Sequence, residues 1–290
     1  MAFDNVESIL QSCSPASSMK LILAAGIASR PQYSSFFKAL LRPFVQHDEL
    51  PVRYRCFGRS YTALLRMPDL VSDWASVKEL GIDDIYRLDT GFKPDLVIDG
   101  GGNIGLFALE AAAAFRFDNR TPIVICEPLP RNIEQIRKHL STNGIEAEIR
   151  PNCLGGTRRS IPFYCRAANQ SSFDSSEPYE LVMEIPVVLL EDVIGNNPAE
   201  RILIKLDIEG MEIETLETFV SASEKRAIYI VGELHDFPRN RRLIEQIFHK
   251  NGWALELYDV DFETSSFRAC SPNAVASLKW TAGVSTNLPA

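Results

Sequence analysis

One stretch, DLVIDGGGNIGLFALEAAAAF at residues 95–115, constrains the fold of this chain more than any other. Its apolar run at 96–98 is short enough for a buried strand, and Asp99 ends that run. Three glycines follow, and the Ala- and Leu-rich segment after them has the composition of a helix. A strand, a glycine turn and a helix bring backbone N–H groups and a helix N-terminus close to a ligand, so we predict a binding turn here.

The glycine spacing of this turn is compatible with two kinds of cofactor. Gly100, Gly102 and Gly105 fit the dinucleotide fingerprint, and Glu127 follows where a ribose-binding carboxylate is expected. Asp99, directly before the glycines, would repel a pyrophosphate but suits a ligand with ammonium and sulfonium groups. The residues therefore favour S-adenosylmethionine over a nicotinamide cofactor. A tight turn without a ligand is the third interpretation.

Composition excludes several classes of partner. The net charge of -8 and the pI near 5.2 leave no basic excess for phosphates, so we predict no nucleic-acid partner. The six cysteines are scattered without a Cys-x-x-Cys pair, which indicates a reduced, cytoplasmic protein without a zinc site. The apolar run at 21–28 is too short to span a bilayer, and we interpret it as a buried helix rather than a signal peptide.

The order of elements predicts an α/β fold with a mostly parallel, doubly wound sheet. From residue 95 on, short apolar runs alternate with segments of helical periodicity, as in parallel strands joined by crossover helices. Earlier segments indicate an N-terminal helical and hairpin addition. We divide the chain into a helical cap or lid at 1–50, a hairpin and helix lead-in at 51–94, a core at 95–260 and a C-terminal tail at 261–290.

Acidic residues end four of the predicted strands: Asp99, Glu127, Asp207 and Glu233. Ligands of open parallel sheets bind beyond the carboxyl ends of the strands, so we expect these acids on one rim. Alternation along a strand places His235 on the same side as Glu233. Because an imidazole with a near-neutral pKa suits general-base work, we predict Asp207, Glu233 and His235 as catalytic residues.

Other interpretations of these residues stay open. A divalent cation held by Asp207, Glu233 and His235 is a less favoured alternative, and we predict no metal ligand. Glu209 and Glu212 begin a helix whose dipole favours acids, so capping is as well supported for them as a role in the site. The remaining histidines are expected at the surface: His47, His139 and His249.

Four segments together resemble the FkbM-type methyltransferases, which depend on S-adenosylmethionine. They are VIDGGGNIG (97–105), CEPLPRNIEQIRKHLSTNG (126–144), VVLLEDVI (187–194) and IKLDIEGMEIETLE (204–217). The last is the most specific, and the resemblance extends over about residues 52–258. It implies a Rossmann-like class I methyltransferase fold, in which residues 95–260 bind S-adenosylmethionine. It also implies O-methylation of hydroxyls on sugars, polyketides and other small natural products.

The resemblance and the strand ends together predict which residues bind the cofactor. The methionine part is expected at Asp99, the glycines and Asn103, and the ribose hydroxyls at Glu127, since a carboxylate is an acceptor-only group. Cys153 and Leu154 are expected beside the adenine or in a plain core turn. The predicted cofactor-binding residues are Asp99, Gly100, Gly102, Asn103, Gly105, Glu127, Pro128 and Cys153.

The sequence leaves two rival functions: an NAD(P)-dependent oxidoreductase and a catalytically silent cofactor-binding protein. Under the leading hypothesis the partner is a small hydroxylated acceptor, with no membrane and no nucleic acid, and homodimerisation stays open. Contacts with the acceptor are expected from residues 1–50, from the polar loop at 166–180 and from the tail. Aromatic residues such as Tyr164 and Phe173 could stack on a ring or belong to the core.

Overall fold

The computed structural model describes residues 13–29, 34–116, 121–165, 181–222, 226–259, 263–275 and 278. Three segments that the sequence analysis singled out lie outside the described residues: 1–12 of the predicted helical region, the loop 166–180 with Phe173, and 279–290 of the tail.

Two helices and a hairpin precede the core. The hairpin is confirmed: its strands pair antiparallel, and the turn between them has positive φ at Phe57 (46°) and Gly58 (79°), as tight hairpins require. A 3₁₀ turn at Arg42–Phe44 contains Pro43 and follows the second helix, which proline cannot continue. These elements are α1 (Pro15–Ser29), α2 (Ser34–Leu41), β1 (Glu49–Cys56) and β2 (Arg59–Arg66).

The lead-in helix differs from the prediction at both ends. The sequence predicts Ser72 as its N-cap and Gly81 as its stop, but α3 (Leu70–Ser76) has Asp69 at its N-cap position, without a side-chain capping bond, and continues as a wider π turn, Val77–Ile82. Gly81 has a packing role instead, since a Cβ there would lie 2.5 Å from the ring of Tyr54 in β1. A close approach of backbone to ring therefore explains this glycine.

The core alternates strands and helices as predicted. In chain order the elements are β3 (Leu96–Gly100), α4 (Leu106–Ala114), β4 (Ile123–Cys126), α5 (Pro130–Asn143), β5 (Glu148–Arg150), β6 (Cys153–Leu154), β7 (Arg159–Cys165), β8 (Leu181–Val188), α6 (Leu190–Ile194), β9 (Arg201–Leu206), α7 (Glu212–Ala222), β10 (Ala227–His235), α8 (Phe237–Lys250), β11 (Ala254–Tyr258), β12 (Thr264–Cys270) and α9 (Pro272–Val275). Strands β3, β4, β5, β9 and β10 run to the same rim, because the connections between parallel strands return the chain to the opposite edge.

A seven-stranded sheet in the order β11-β12-β10-β9-β3-β4-β5 forms the centre of the protein. Neighbours from β10 to β5 are parallel, which confirms the α/β, mostly parallel, doubly wound fold. Strands β3 and β4 are buried throughout, as expected where helices cover both faces. A separate three-stranded sheet in the order β6-β8-β7 flanks this core.

One strand of the central sheet was not expected. β12 pairs antiparallel with both β10 and β11, in the part of the chain that the sequence analysis places in the tail, beyond the predicted core boundary at residue 260. Its sequence, TSSFRAC, contains few large apolar residues, yet Phe267 and Ala269 are fully buried. The strand lies inside the sheet, where hydrogen bonds to two neighbours add to a weak apolar pattern.

Helix α5 is pinned to the hairpin by a buried histidine. His139 was expected at the surface, but it is fully buried. Its Nδ1 faces the Ile104 carbonyl oxygen at 2.6 Å, and its Nε2 accepts the Leu64 N–H at 2.8 Å. Burial lowers the pKa of His139, so the ring is neutral and makes both bonds. Asn143, one turn later, bonds both backbone groups of Thr62 in β2.

Candidate active site

The carboxyl ends of β3, β4, β9 and β10 meet at one rim of the sheet, because these strands are parallel neighbours. The chain after β3 lies directly against the chain after β9. Gly101 has φ 76°, and a Cβ there would lie 1.8 Å from the Asp207 carbonyl oxygen. Only glycine combines this backbone conformation with this approach, so Gly101 fixes the distance between the two strand ends.

The other glycines of the turn also make room for the chain itself. We expected from the sequence that they would make room for a ligand. A Cβ at Gly100, Gly102 or Gly105 would instead lie within 3.2 Å of a neighbouring side chain. These close contacts, and the left-handed backbone of Gly105 (φ 81°), give the glycines a role in the turn itself. Their contact with the cofactor stays a prediction.

Asn103 and Glu127 are joined at the centre of the rim. Asn103 has a left-handed backbone (φ 46°), and its N–H donates to Glu127 Oε2 at 2.8 Å. Glu127 Oε1 accepts from the Leu129 N–H and from Asn132 Nδ2. A carboxylate has about four acceptor positions, so one on Oε2 stays available to a ligand. Burial raises the pKa of Glu127 to about 7.

Two adjoining cavities open beside these residues. The first spans about 630 Å³, including space open to solvent, and is lined by Gly101, Asn103, Glu127, Cys153, Phe163 and Asp207, with Pro128 and Leu129 beside them. The second spans about 440 Å³, likewise including space open to solvent, and is lined by Tyr86, Gly102, Asn103, Lys205, Asp207 and Glu233. Asn103 and Asp207 line both cavities, so an elongated ligand can lie across this junction.

Asp99 does not line either cavity. It is fully buried, and its Oδ1 lies 3.4 Å from Lys205 Nζ. Lys205 donates to the Gly101 carbonyl oxygen at 2.6 Å and lies 3.7 Å from Asp207 Oδ2. Burial raises the pKa of Asp99, and Lys205 opposes that rise. Asp99 thus forms a buried ion pair beneath the glycine turn, and its contact with the methionine part stays a prediction.

His235 lies next to Asp207 at the same rim, as alternation along β10 predicted. Its Nε2 is 4.0 Å from Asp207 Oδ1 and 3.8 Å from Glu209 Oε2, and its Nδ1 is 3.0 Å from Glu212 Oε1. Burial alone would lower the pKa of His235, but the hydrogen bond to Glu212 and the nearby carboxylates raise it to about 10. This contradicts the near-neutral pKa that we expected for a general base.

Asp207, Glu233 and His235 are close enough to share a cation. One ligand atom of each lies within 4.8 Å of the others, and all three side chains are half-buried. Lys205, however, already places an ammonium group 3.7 Å from Asp207 Oδ2, and His235 carries its own positive charge at neutral pH. Two protein cations therefore compete with a metal ion for these carboxylates.

Sequence reasoning missed part of the first cavity. Phe163 lines it, whereas we chose its neighbour Tyr164 as a stacking candidate. The signal in β7 is weak: Ile161 and Phe163 lie on the same side of the strand, separated by Pro162, and Phe163 is buried. Asn132, on the first turn of α5, was also missed, because nothing in the sequence says that its amide reaches Glu127.

Comparison with known proteins gives the family. The family model of the methyltransferase FkbM domain matches residues 99–259, more than half of the chain, and this range contains every predicted site residue. The chain belongs to the FkbM methyltransferase family. Membership confirms the resemblance seen in the sequence and shows that the protein is a methyltransferase that depends on S-adenosylmethionine. The match gives no support to the NAD(P)-dependent oxidoreductase.

Individual relatives of this FkbM methyltransferase are distant. Methyltransferase 1 of Beauveria bassiana is 23% identical over 208 residues, which cover 64% of this chain and 82% of that protein. Precorrin-6y C5,15-methyltransferase of Geobacter metallireducens superposes with a TM-score of 0.40 at 13% identity, covering 66% of this chain and 88% of that one. The TYW2 protein of M. jannaschii in complex with AdoMet has a TM-score of 0.41 at 11% identity, with coverages of 78% and 87%. Nothing about the ligands of this chain rests on these two loose superpositions.

Within the described ranges, no helix is both long enough and apolar enough to cross a bilayer.

Proposed function

We propose that this FkbM-family protein transfers a methyl group from S-adenosylmethionine to a hydroxyl of a sugar or another small natural product. The observation that carries the proposal is the meeting of two cavities at Asn103 and Asp207. A methyl donor that extends across both cavities has its reactive centre at the junction. Asp207 there is an acidic group beside the position at which an acceptor hydroxyl would lie.

The residues around the first cavity suit the adenosine part of the cofactor. Glu127 has one free acceptor position on Oε2 for a ribose hydroxyl, and Cys153 and Phe163 supply an apolar wall for the adenine. The methionine part suits the second cavity. Asn103 Oδ1 is buried without a hydrogen-bond donor among the described residues, so it would accept from the ammonium group.

The chemistry requires little covalent work from the protein. Bound S-adenosylmethionine supplies a methyl group that its sulfonium has already activated. The protein aligns the acceptor, and alignment lowers a barrier by roughly 7–11 kcal/mol. Asp207 takes the proton of the acceptor hydroxyl, and a positioned base of this kind adds about 10²–10⁴-fold. His235, which carries its proton, donates a hydrogen bond from Nε2, and Glu233 binds a second hydroxyl of the acceptor.

A divalent cation at Asp207, Glu233 and His235 is the less favoured alternative, since Lys205 and the charged imidazole already neutralise these carboxylates. The negative net charge of the chain supports a small-molecule acceptor over nucleic acid. A cytoplasmic location is proposed from the sequence, because its six cysteines include no Cys-x-x-Cys pair.

Calorimetric titration tests the cofactor assignment. S-adenosylmethionine and S-adenosylhomocysteine are expected to bind at about pH 8, where Glu127 is ionised, and NAD is expected not to bind. Hydrogen bonds to charged groups contribute about 1.5–3 kcal/mol, so Glu127→Gln should weaken binding roughly 10- to 100-fold. Glu146→Gln, an exposed acid outside the site, is the control. Unchanged affinity in Glu127→Gln would contradict the placement of the ribose.

Turnover is then screened with hydroxylated sugars and phenols as acceptors, with and without a chelator. Methylation of a hydroxyl that persists in chelator supports the proposal. Methylation of an amine alone would contradict O-methylation, and loss of turnover in chelator would favour the metal alternative.

A further inference from the structure

Glu212 connects the ends of two strands through a single oxygen atom. Glu212 is fully buried, and its Oε1 accepts the Ile208 N–H at 3.0 Å and the Gly210 N–H at 3.2 Å. The same Oε1 lies 3.0 Å from His235 Nδ1. The first two contacts hold the loop after β9, and the third holds a side chain at the end of β10.

Helix capping explains only part of this arrangement. Glu212 is the first residue of α7, where an acid is favoured by the dipole and can bond backbone N–H groups of its own loop. Capping accounts for the bonds from Ile208 and Gly210. It does not account for the bond to His235, which lies on another strand and 23 residues further along the chain.

The bond to Glu212 determines which edge of the imidazole faces the site. Because Nδ1 points to a buried, acceptor-only carboxylate, Nδ1 carries a proton. The opposite edge then presents Nε2 to the gap between Asp207 Oδ1, at 4.0 Å, and Glu209 Oε2, at 3.8 Å. These distances exceed a hydrogen bond, so Nε2 keeps its bonding capacity for an acceptor beside Asp207. Asp207 lines both cavities, whereas His235 lies behind it and lines neither.

We propose that Glu212 is a positioning residue, which holds the imidazole of His235 by its Nδ1 edge so that the Nε2 edge faces the acceptor beside Asp207. This inference rests on the proposed function, because it assigns the acceptor to the same junction. A carboxylate that orients a catalytic imidazole through the second ring nitrogen is a recurring arrangement in enzymes. Here the same oxygen also holds the loop that carries Asp207, so one atom sets the spacing between both groups.

The test is NMR spectroscopy of the full-length protein with ¹⁵N-labelled histidine, saturated with S-adenosylhomocysteine. The wild type is expected to show a downfield Nδ1 proton that is protected from solvent exchange, and His235→Asn assigns it by its loss. Glu212→Ala should lose this resonance. Glu212→Gln keeps an acceptor oxygen without the charge, so the resonance should remain but shift upfield. Glu214→Gln removes another acid from the same first turn of α7 and should leave it unchanged.

The outcomes separate positioning from capping. A protected Nδ1 proton in Glu212→Ala, or an unshifted one in Glu212→Gln, would leave Glu212 a capping residue and overturn the proposal. If the Glu212→Ala variant does not fold, the Nδ1 proton resonance of the Glu212→Gln variant alone decides between positioning and capping. Affinity for S-adenosylhomocysteine is measured on the same samples. Failure of the wild type to bind it would overturn the proposed function, whatever the imidazole resonance shows.

Discussion

At the scale of single residues, the site depends on backbone geometry that most side chains would prevent. Gly101 combines a left-handed backbone with an approach to the Asp207 carbonyl that leaves no space for a Cβ. This close approach matters mainly for Asp207, because the carbonyl oxygen beside Gly101 and the carboxylate in the site belong to the same residue. The position of the group that we assign as base is thus fixed from the neighbouring strand.

Gly101→Ala should therefore be far more damaging than the same change at another left-handed glycine. Gly144 (φ 66°) follows α5, and a Cβ there would have no described atom within 4 Å, so Gly144→Ala costs only the backbone strain of about 1–2 kcal/mol. At Gly101 a steric overlap of roughly 1–3 kcal/mol is added. Urea unfolding measures both free energies. Equal losses of unfolding free energy in the two variants would show that the ends of β3 and β9 can move apart at Gly101 without a loss of stability.

The sequence predicted the position of the acids at the rim better than their surroundings. Glu127 and Asp207 line the first cavity, and their position was predictable because an acid directly after a buried strand is visible in the sequence. The burial of Asp99 and the raised pKa of His235 were not predicted. Asp99 lies beside Lys205 and His235 lies beside Glu212, and these pairs come together only in the folded chain. The packing roles of the glycines were missed for the same reason.

At the scale of elements, α5 attaches the β1–β2 hairpin to the glycine turn. His139 does so as a neutral ring, with one nitrogen toward Ile104 and the other accepting from Leu64. Its pKa is lowered by burial, so the unfolded chain binds this proton more readily than the folded protein. The stabilisation is present above the unfolded pKa, about 6.5, and is lost as the pH falls below it.

The wild type should consequently lose stability relative to His139→Gln as the pH falls from about 7 to about 5, since glutamine does not titrate. The free energy of unfolding, measured in urea at several pH values, gives the difference. His249→Gln, at an exposed position near the end of α8, serves as the control and should follow the wild type at every pH. Parallel curves for His139→Gln and the wild type would show that the ring is not held neutral.

The elements themselves were predictable wherever their pattern was strong. The alternation of apolar runs and helical segments from residue 95 on gave the parallel strands of the core. Strand β12 was missed because its Ser-rich sequence has no clear alternation, and its place in the sheet comes from hydrogen bonds to two neighbours. The π turn after α3 was missed because the sequence does not show that Gly81 lies against the ring of Tyr54.

At the scale of the whole molecule, the ligand should contribute measurably to stability, because the two cavities lie between separate strand ends. S-adenosylhomocysteine at about 100 times its dissociation constant is expected to add about 2.7 kcal/mol. For a chain of this size, that raises the melting temperature by about 5–10 °C. Thermal unfolding monitored by circular dichroism measures the shift. NAD at the same concentration is the control, and an equal shift with NAD would contradict the cofactor assignment.

The place of β12 has a consequence for synthesis of the protein. The strand lies between β10 and β11, although it follows both in the chain. While the nascent chain leaves the ribosome, β11 therefore has no partner beside β10, and the edge of β10 stays open until the residues after 263 emerge. A ribosome that stalls just before this point exposes a nearly complete sheet in which the edge of β10 is unpaired. A chaperone that binds exposed strand edges would be needed most at this stage.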